Sequence, residues 1–201
     1  MDLGRIVGPN NEDGHRPVLV DGELLGAHGA LVVIGVEHYR IHQHQVFTVS
    51  AISEGVVDDA SVEVLIRVPS GYDCHIAITG TASHDAFGYI FDTPTVTADG
   101  TPLTPHNHSR NVPEGTPASV VSVFNAPTIS DDGTEIFATY LPGGQKNQAT
   151  GGSASGAGEW NLHAGDYLLR FTNKGGQAAT MSMTLWWYEG LEENPLEQGG
   201  G

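Results

Sequence analysis

Ten histidines stand against two lysines, Lys146 and Lys174, in this chain. Imidazole is the side chain best suited to ligate a transition metal or to move a proton near neutral pH. His38, His42 and His44 lie close together, and His106 and His108 form a second His-x-His. Imidazoles two residues apart on a strand point to one face, so each pair is able to share an ion. Other chemistry has less to work with. The chain holds no Gly-x-Ser-x-Gly elbow, no phosphate-cradling Gly-Lys-Ser/Thr and no nucleophile with a base beside it. Carboxylates are plentiful, but so acidic a surface supplies pairs by chance, and none is assigned to glycoside hydrolysis. The contiguous His106-Asn107-His108 is not the nuclease motif of that name, which needs a zinc-bound ββα unit. Asn107-His108-Ser109 spells a glycosylation sequon, expected to be silent without a secretory leader. The single cysteine, Cys74, alternates with Ile76 and Ile78 and reads as a buried small apolar residue. Trp160, Trp186 and Trp187 could make a sugar-stacking platform. Period two instead favours Trp187 in the core, with Trp186 on the opposite face under a loop or a neighbouring subunit.

The histidine pairs resemble the metal-binding His-x-His of cupin enzymes, which are jelly rolls. In that family a glutamate follows the pair within a few positions, whereas Thr48 stands there and the nearest glutamate is Glu54. A Gly-rich run before His163 echoes part of the second cupin motif. A metalloenzyme of this kind would draw on His42, His44 and His163. The simpler reading is polar strand-face or loop histidines, so no metal, cofactor or catalytic residue is expected, and the chain is read as a non-enzyme.

These residues need a scaffold, and composition bounds it. The chain has 201 residues, 24 acidic and 8 basic, for a formal net charge of −16. Its length fits one large all-β domain as well as two small ones. A chain this size can bury roughly 70% of its unfolded surface, and a hydrophobic share of 39% excludes a disordered chain. So negative a surface repels phosphates, which disfavours nucleic acid and anionic membranes as partners. The longest apolar runs, such as Ala30 to Val36, fall far short of the roughly 20 residues that span a bilayer. No basic-then-apolar leader opens the sequence, so synthesis in a cytoplasm without Sec-type export is expected.

Glycine (27) and proline (11) punctuate the chain too often for long helices. Between them the pattern has period two. Val62, Val64, Ile66 and Val68 share one face with Glu63 and Arg67 opposite; Tyr167–Thr172 and Met181–Trp187 repeat the logic. Leu31–Val36, Gln45–Ile52, Cys74–Thr79, Val120–Asn125 and Glu135–Leu141 are further strand candidates. Turns are expected at Ala98–Thr101 and Ser130–Gly133. Short strands between turn clusters indicate an all-β antiparallel sandwich, jelly-roll-like, with under about a tenth of residues helical. The expected layout is an N-terminal arm or lead-in over 1–28, a sandwich over 29–189 and an acidic, Gly-rich tail over 190–201. A low-complexity Gly-rich loop lies between Pro142 and Gly158.

Three segments resemble a family of tailed-bacteriophage virion proteins, the capsid decoration (cement) proteins. They are Tyr39–His42 running into Val46–Val49; Gly100 to Asn111, containing His106-Asn107-His108-Ser109-Arg110-Asn111; and Glu159–Leu162 through Tyr167–Asn173 to Trp187-Tyr188-Glu189. The likeness spans roughly residues 35 to 189. It implies a virion component on the capsid exterior that binds the major capsid protein and itself as a homo-oligomer, a trimer by expectation. Arg110 is a natural bidentate anchor, and Asn107 and Asn111 suit turn caps or strand bridges. With Trp186 they are the contact candidates; the arm and the 142–158 loop are the segments expected to order on a partner. A carbohydrate- or receptor-binding sandwich of the virion is the alternative function, and a cupin-like metalloenzyme the second.

Overall fold

Alternation of apolar and polar residues builds two antiparallel sheets that pack as a β-sandwich. The structure, a computed structural model, describes residues 40–143 and 159–191. Within them 63% of residues are strand and 2% helix, the helix being one turn at 40–42. The chain divides between Gln43 and His44, and every described strand lies on the C-terminal side. In order these are β1 (Val46–Val56), β2 (Ser61–Val68), β3 (Tyr72–Ala82), β4 (Ala86–Asp92), β5 (Thr95–Ala98), β6 (Thr101–Leu103) and β7 (His106–Asn107). Then follow β8 (Ser122–Asn125), β9 (Thr128–Asp131), β10 (Thr134–Leu141), β11 (Trp160–Leu162), β12 (Gly165–Asn173) and β13 (Ala179–Leu191).

The first sheet runs β11-β3-β13-β1-β7 and the second β10-β4-β12-β2-β8-β6, while β5 and β9 pair separately. Strands β5 to β9 are thus an insertion between β4 and β10, which are themselves neighbours. The inward faces make the core. Val49, Ala51, Ile76, Met181, Met183, Leu185 and Trp187 come from the first sheet, and Val62, Val64, Ile66, Val68, Ile90, Leu169 and Phe171 from the second. Full burial of each Val, Leu, Ile, Met or Phe among them contributes roughly 1.5–3 kcal/mol. Phe171 needs room on both sides. A Cβ at Gly80 would stand 1.8 Å from its ring, and one at Gly88 would stand 2.9 Å away. The second sheet also has an apolar row on its outer face: Phe91, Leu168 and Leu65 are register neighbours and are buried. The Arg170 guanidinium lies over the Phe91 ring at 5.2 Å.

The expected strands at 62–68, 167–172 and 181–187 lie inside β2, β12 and β13, and the expected turns appear with left-handed backbone at Gly100 (φ 87°) and Gly133 (φ 79°). Strand β4, central to the second sheet, was not expected. Strand β13 continues to Leu191, past the boundary placed at Glu189. The Leu31–Val36 candidate, the 1–28 lead-in, most of the Gly-rich loop and residues 192–201 lie outside the described residues.

Candidate functional site

Strands β1, β13 and β3 turn every second side chain outward, and their registers bring these into rows. Thr48, Trp186 and Ala77 form one row; Ser50, Thr184 and Thr79 the next; Ile52, Ser182 and Thr81 the third. No Asp, Glu, Lys or Arg stands among them. The hydroxyls are largely occupied with the sheet itself. Thr48 Oγ1 donates to the Leu185 carbonyl at 2.9 Å, Ser50 and Thr184 hydroxyls pair at 3.1 Å, and those of Thr81 and Ser182 at 2.7 Å. Ile52 is 70% exposed. One end of the face is aromatic. His75 stacks on Tyr188 with ring centroids 4.8 Å apart, Trp186 meets Tyr188 edge-on at 6.1 Å, and Trp186 Nε1 donates to His108 Nδ1 at 3.3 Å.

His108 belongs to a loop that is fixed at its root and open at its tip. Its backbone N–H donates to the Val46 carbonyl at 2.9 Å. Asn107 Nδ2 donates to the His44 carbonyl at 2.6 Å, and its Oδ1 accepts from the Ser109 N–H at 2.8 Å. Asn107 therefore both bridges to the chain before β1 and caps the local turn. Beyond it Arg110, Asn111 and Val112 are exposed. Arg67, Arg170 and Lys174 are each committed to carboxylates, whereas Arg110 has no partner among the described residues. Of the contact candidates, then, Asn107 roots the loop, Arg110 and Asn111 stand at its tip, and Trp186 adjoins it through His108.

His44 and His163 of the metal alternative are not gathered. His44 precedes β1, and His163 follows β11 at the far edge of the first sheet, with β3 and β13 between. Neighbouring strands are about 4.8 Å apart, so that separation exceeds what one ion can bridge. His163 Nδ1 is instead 2.7 Å from Asp73 Oδ1. His44 sits in left-handed backbone (φ 60°) with its buried Nδ1 unpartnered, and His42 lies in the turn at 40–42. Among the described residues no group of three or more His, Cys, Asp or Glu is placed to hold an ion. The tryptophans are likewise dispersed: Trp187 is fully buried, Trp160 packs edge-on against Phe137 at 5.6 Å, and Trp186 alone faces outward. Cys74 is fully buried, and burial, aided by the Glu189 and Asp73 charges, pushes its thiol well above the ordinary range; it is not a nucleophile near neutral pH.

Sequence reasoning missed the polar anchors. The Glu189 carboxylate accepts from the Ser119 hydroxyl, from Val120 N at 3.0 Å, from Val121 N at 3.2 Å and from Trp187 Nε1 at 3.0 Å. It thereby ties the lead into β8 to the first sheet; the Trp187-x-Glu189 spacing, two residues on one side of a strand, was the available signal. Asn173, fully buried, donates from Nδ2 to the Val56 and Gln177 carbonyls at 2.8 and 2.7 Å. No family model, curated protein or solved structure matches this chain.

Proposed function

We propose that this chain is a virion structural protein that binds the outer surface of an assembled phage capsid as a homo-oligomer and stabilises it. The loop at 108–112 carries the reading. It lies at the end of the Gly100–Asn111 segment that resembles capsid decoration proteins. Its root is fixed by Asn107, while its tip offers a guanidinium unpaired among the described residues and an exposed Val112. A rigidly rooted loop with an unspent arginine is the form a binding anchor takes. Arg110 would meet a carboxylate of the major capsid protein in a bidentate pair. The strand order supports a jelly-roll reading. Principal strands fall as β1-β13-β3-β11 and β2-β12-β4-β10, the alternation of a double-sheet roll, an architecture shared by capsid proteins, lectins and cupins. The negative charge suits the outside of a DNA-filled shell, and weak contacts repeated around an oligomer gain strength through effective concentration. The protein works by binding, without cofactor or catalysis.

The alternative, a carbohydrate- or receptor-binding module of the virion, is favoured by the aromatic group of His75, Tyr188, Trp186 and His108. Among the described residues the cupin-like alternative draws on no comparable gathering. Co-sedimentation with shells stripped of this protein, followed by heat challenge of the particles, tests the proposal. Wild-type protein should bind at high copy number and raise the temperature of shell disruption, and Arg110→Ala should weaken binding at least about tenfold. Protein that ignores assembled shells, or that is present in only a handful of copies per particle, overturns it.

A further inference from the structure

We infer that the outer face of the β3–β13–β1 sheet is the surface through which one copy of this chain associates with another. The inference specifies the oligomer in the decoration reading, but neither its argument nor its test requires a shell. Charge selects the face. Two copies of a −16 chain repel, and elsewhere on the sandwich carboxylates stand in the way. The outer face of the second sheet is laced with Glu63, Asp99, Asp132 and Asp166 around Arg67 and Arg170. The turns at one end carry Asp58, Asp59 and Asp85. In contrast, the three rows from Thr48 to Ile52, Ala77 to Thr81 and Ser182 to Trp186 hold no charged side chain, and at their aromatic end the Glu159 carboxylate is paired with His75 at 2.8 Å. A basic partner would be drawn to the carboxylate-bearing surfaces instead; a like-charged copy is accommodated where charge is absent.

Three further features fit that occupant. In each pair, Ser50 with Thr184 and Thr81 with Ser182, one hydroxyl donates to the other, so covering the pair leaves one O–H donor to place rather than two. Ile52, 70% exposed, and Trp186 supply the apolar and aromatic contact that interface centres favour. His108, which abuts Trp186 edge-on at 6.1 Å, extends the carboxylate-free contact to the edge of the face.

Sedimentation equilibrium of the full chain without shells tests this. Wild-type protein should exceed the mass of one chain, and association should tighten between about 0.15 and 0.5 M salt as screening weakens the repulsion. Thr184→Asp and Ser50→Asp, which place a carboxylate in the face, should weaken association at least about tenfold, while Ala138→Asp, on the exposed edge strand β10, should not. Circular dichroism monitors the fold; should Thr184→Asp lose it, Ile52→Asp at an open position carries the test. A monomeric wild type overturns the inference, as does a face variant that associates as tightly as wild type or an Ala138→Asp that dissociates equally. A monomer that still co-sediments with shells refutes this interface and the oligomer, and leaves shell binding itself standing. An oligomer that dissociates on Thr184→Asp yet ignores shells does the reverse.

Discussion

Phe171 fills the gap that two glycines leave between the sheets, and such filling leaves no slack. Gly80 faces it from β3 and Gly88 adjoins it on β4, each where a methyl group would overlap the ring. Gly80→Ala is therefore expected to destabilise by about 2–3 kcal/mol, the upper part of the usual range for overpacking, and to lower Tm by roughly 4–12 °C for a chain of this size. Adding Phe171→Leu should restore part of the loss; thermal unfolding of the single and double variants checks both. If Gly80→Ala melts with wild type, the tight contact is not a constraint on the fold. Buried polarity at this scale is as closely matched. Asn173 spends its amide N–H groups on Val56 and Gln177 and its Oδ1 on the Gly175 N–H at 3.0 Å, joining the β1–β2 and β12–β13 turns.

The insertion between β4 and β10 is tethered by two arginines of the underlying sheet. Arg67 on β2 holds Asp99 with Nη1 and Nη2 at 2.9 and 3.1 Å, and Arg170 on β12 grips Asp132. Hydrogen bonds from Arg170 hold the Asp132 carboxyl below its ordinary pKa. A depressed folded value means that this tether contributes fully above the unfolded carboxylate pKa of about 3.9 and is lost as pH falls through the lower, folded value. Residues 93–133 should loosen on acidification before the core does. Asp132→Asn should reproduce the effect at neutral pH. Asp132 is 43% exposed, so the pair is worth only about 0.5–1 kcal/mol and amide protection in the insertion should fall about two- to five-fold, read by hydrogen exchange. Unchanged protection would mean that the pairings of β7 with β1 and of β8 with β2 hold the segment without this tether. Such long-range pairs were not legible in the sequence, where Arg67 and Asp99 are simply distant residues. Glu63 and Arg67 were placed correctly opposite the core because β2 alternates cleanly. Strand β4 escaped notice because it does not: Ala86, Gly88 and Ile90 face inward, while Phe87, Tyr89 and Phe91 face outward, so both sides are apolar and no polar beat marks the strand. At the candidate site the sequence singled out Asn107, Arg110, Asn111 and Trp186, but it carried no sign that His108 would join the loop to the sheet face, since that contact is made only by packing.

Across the whole molecule, alternate apolar strands gave the two-layer architecture, whereas strand order depended on pairings between residues more than a hundred positions apart. The pairing of β1 with β13, from Val46 opposite Tyr188 to Val56 opposite Ala179, is the extreme case. It also sets the order of events during synthesis. Strand β13 stands between β1 and β3, and β12 stands between β4 and β2; the middle of each sheet is the last of the described strands to leave the ribosome. A nascent chain that has emerged only to Glu159 holds β1 to β10, yet β1 cannot meet β3, nor β2 meet β4. It keeps only separate pieces, β4 with β10, β1 with β7, β5 with β9, and β2 with β8 and β6, and isolated two-stranded pieces are marginal in water. A chain truncated after Glu159 should accordingly show no cooperative thermal transition, and a cooperative melt from that fragment would refute the point. Elongation at about 5–20 residues per second leaves the apolar faces of the earlier strands uncovered for seconds, an interval in which they are available to chaperones.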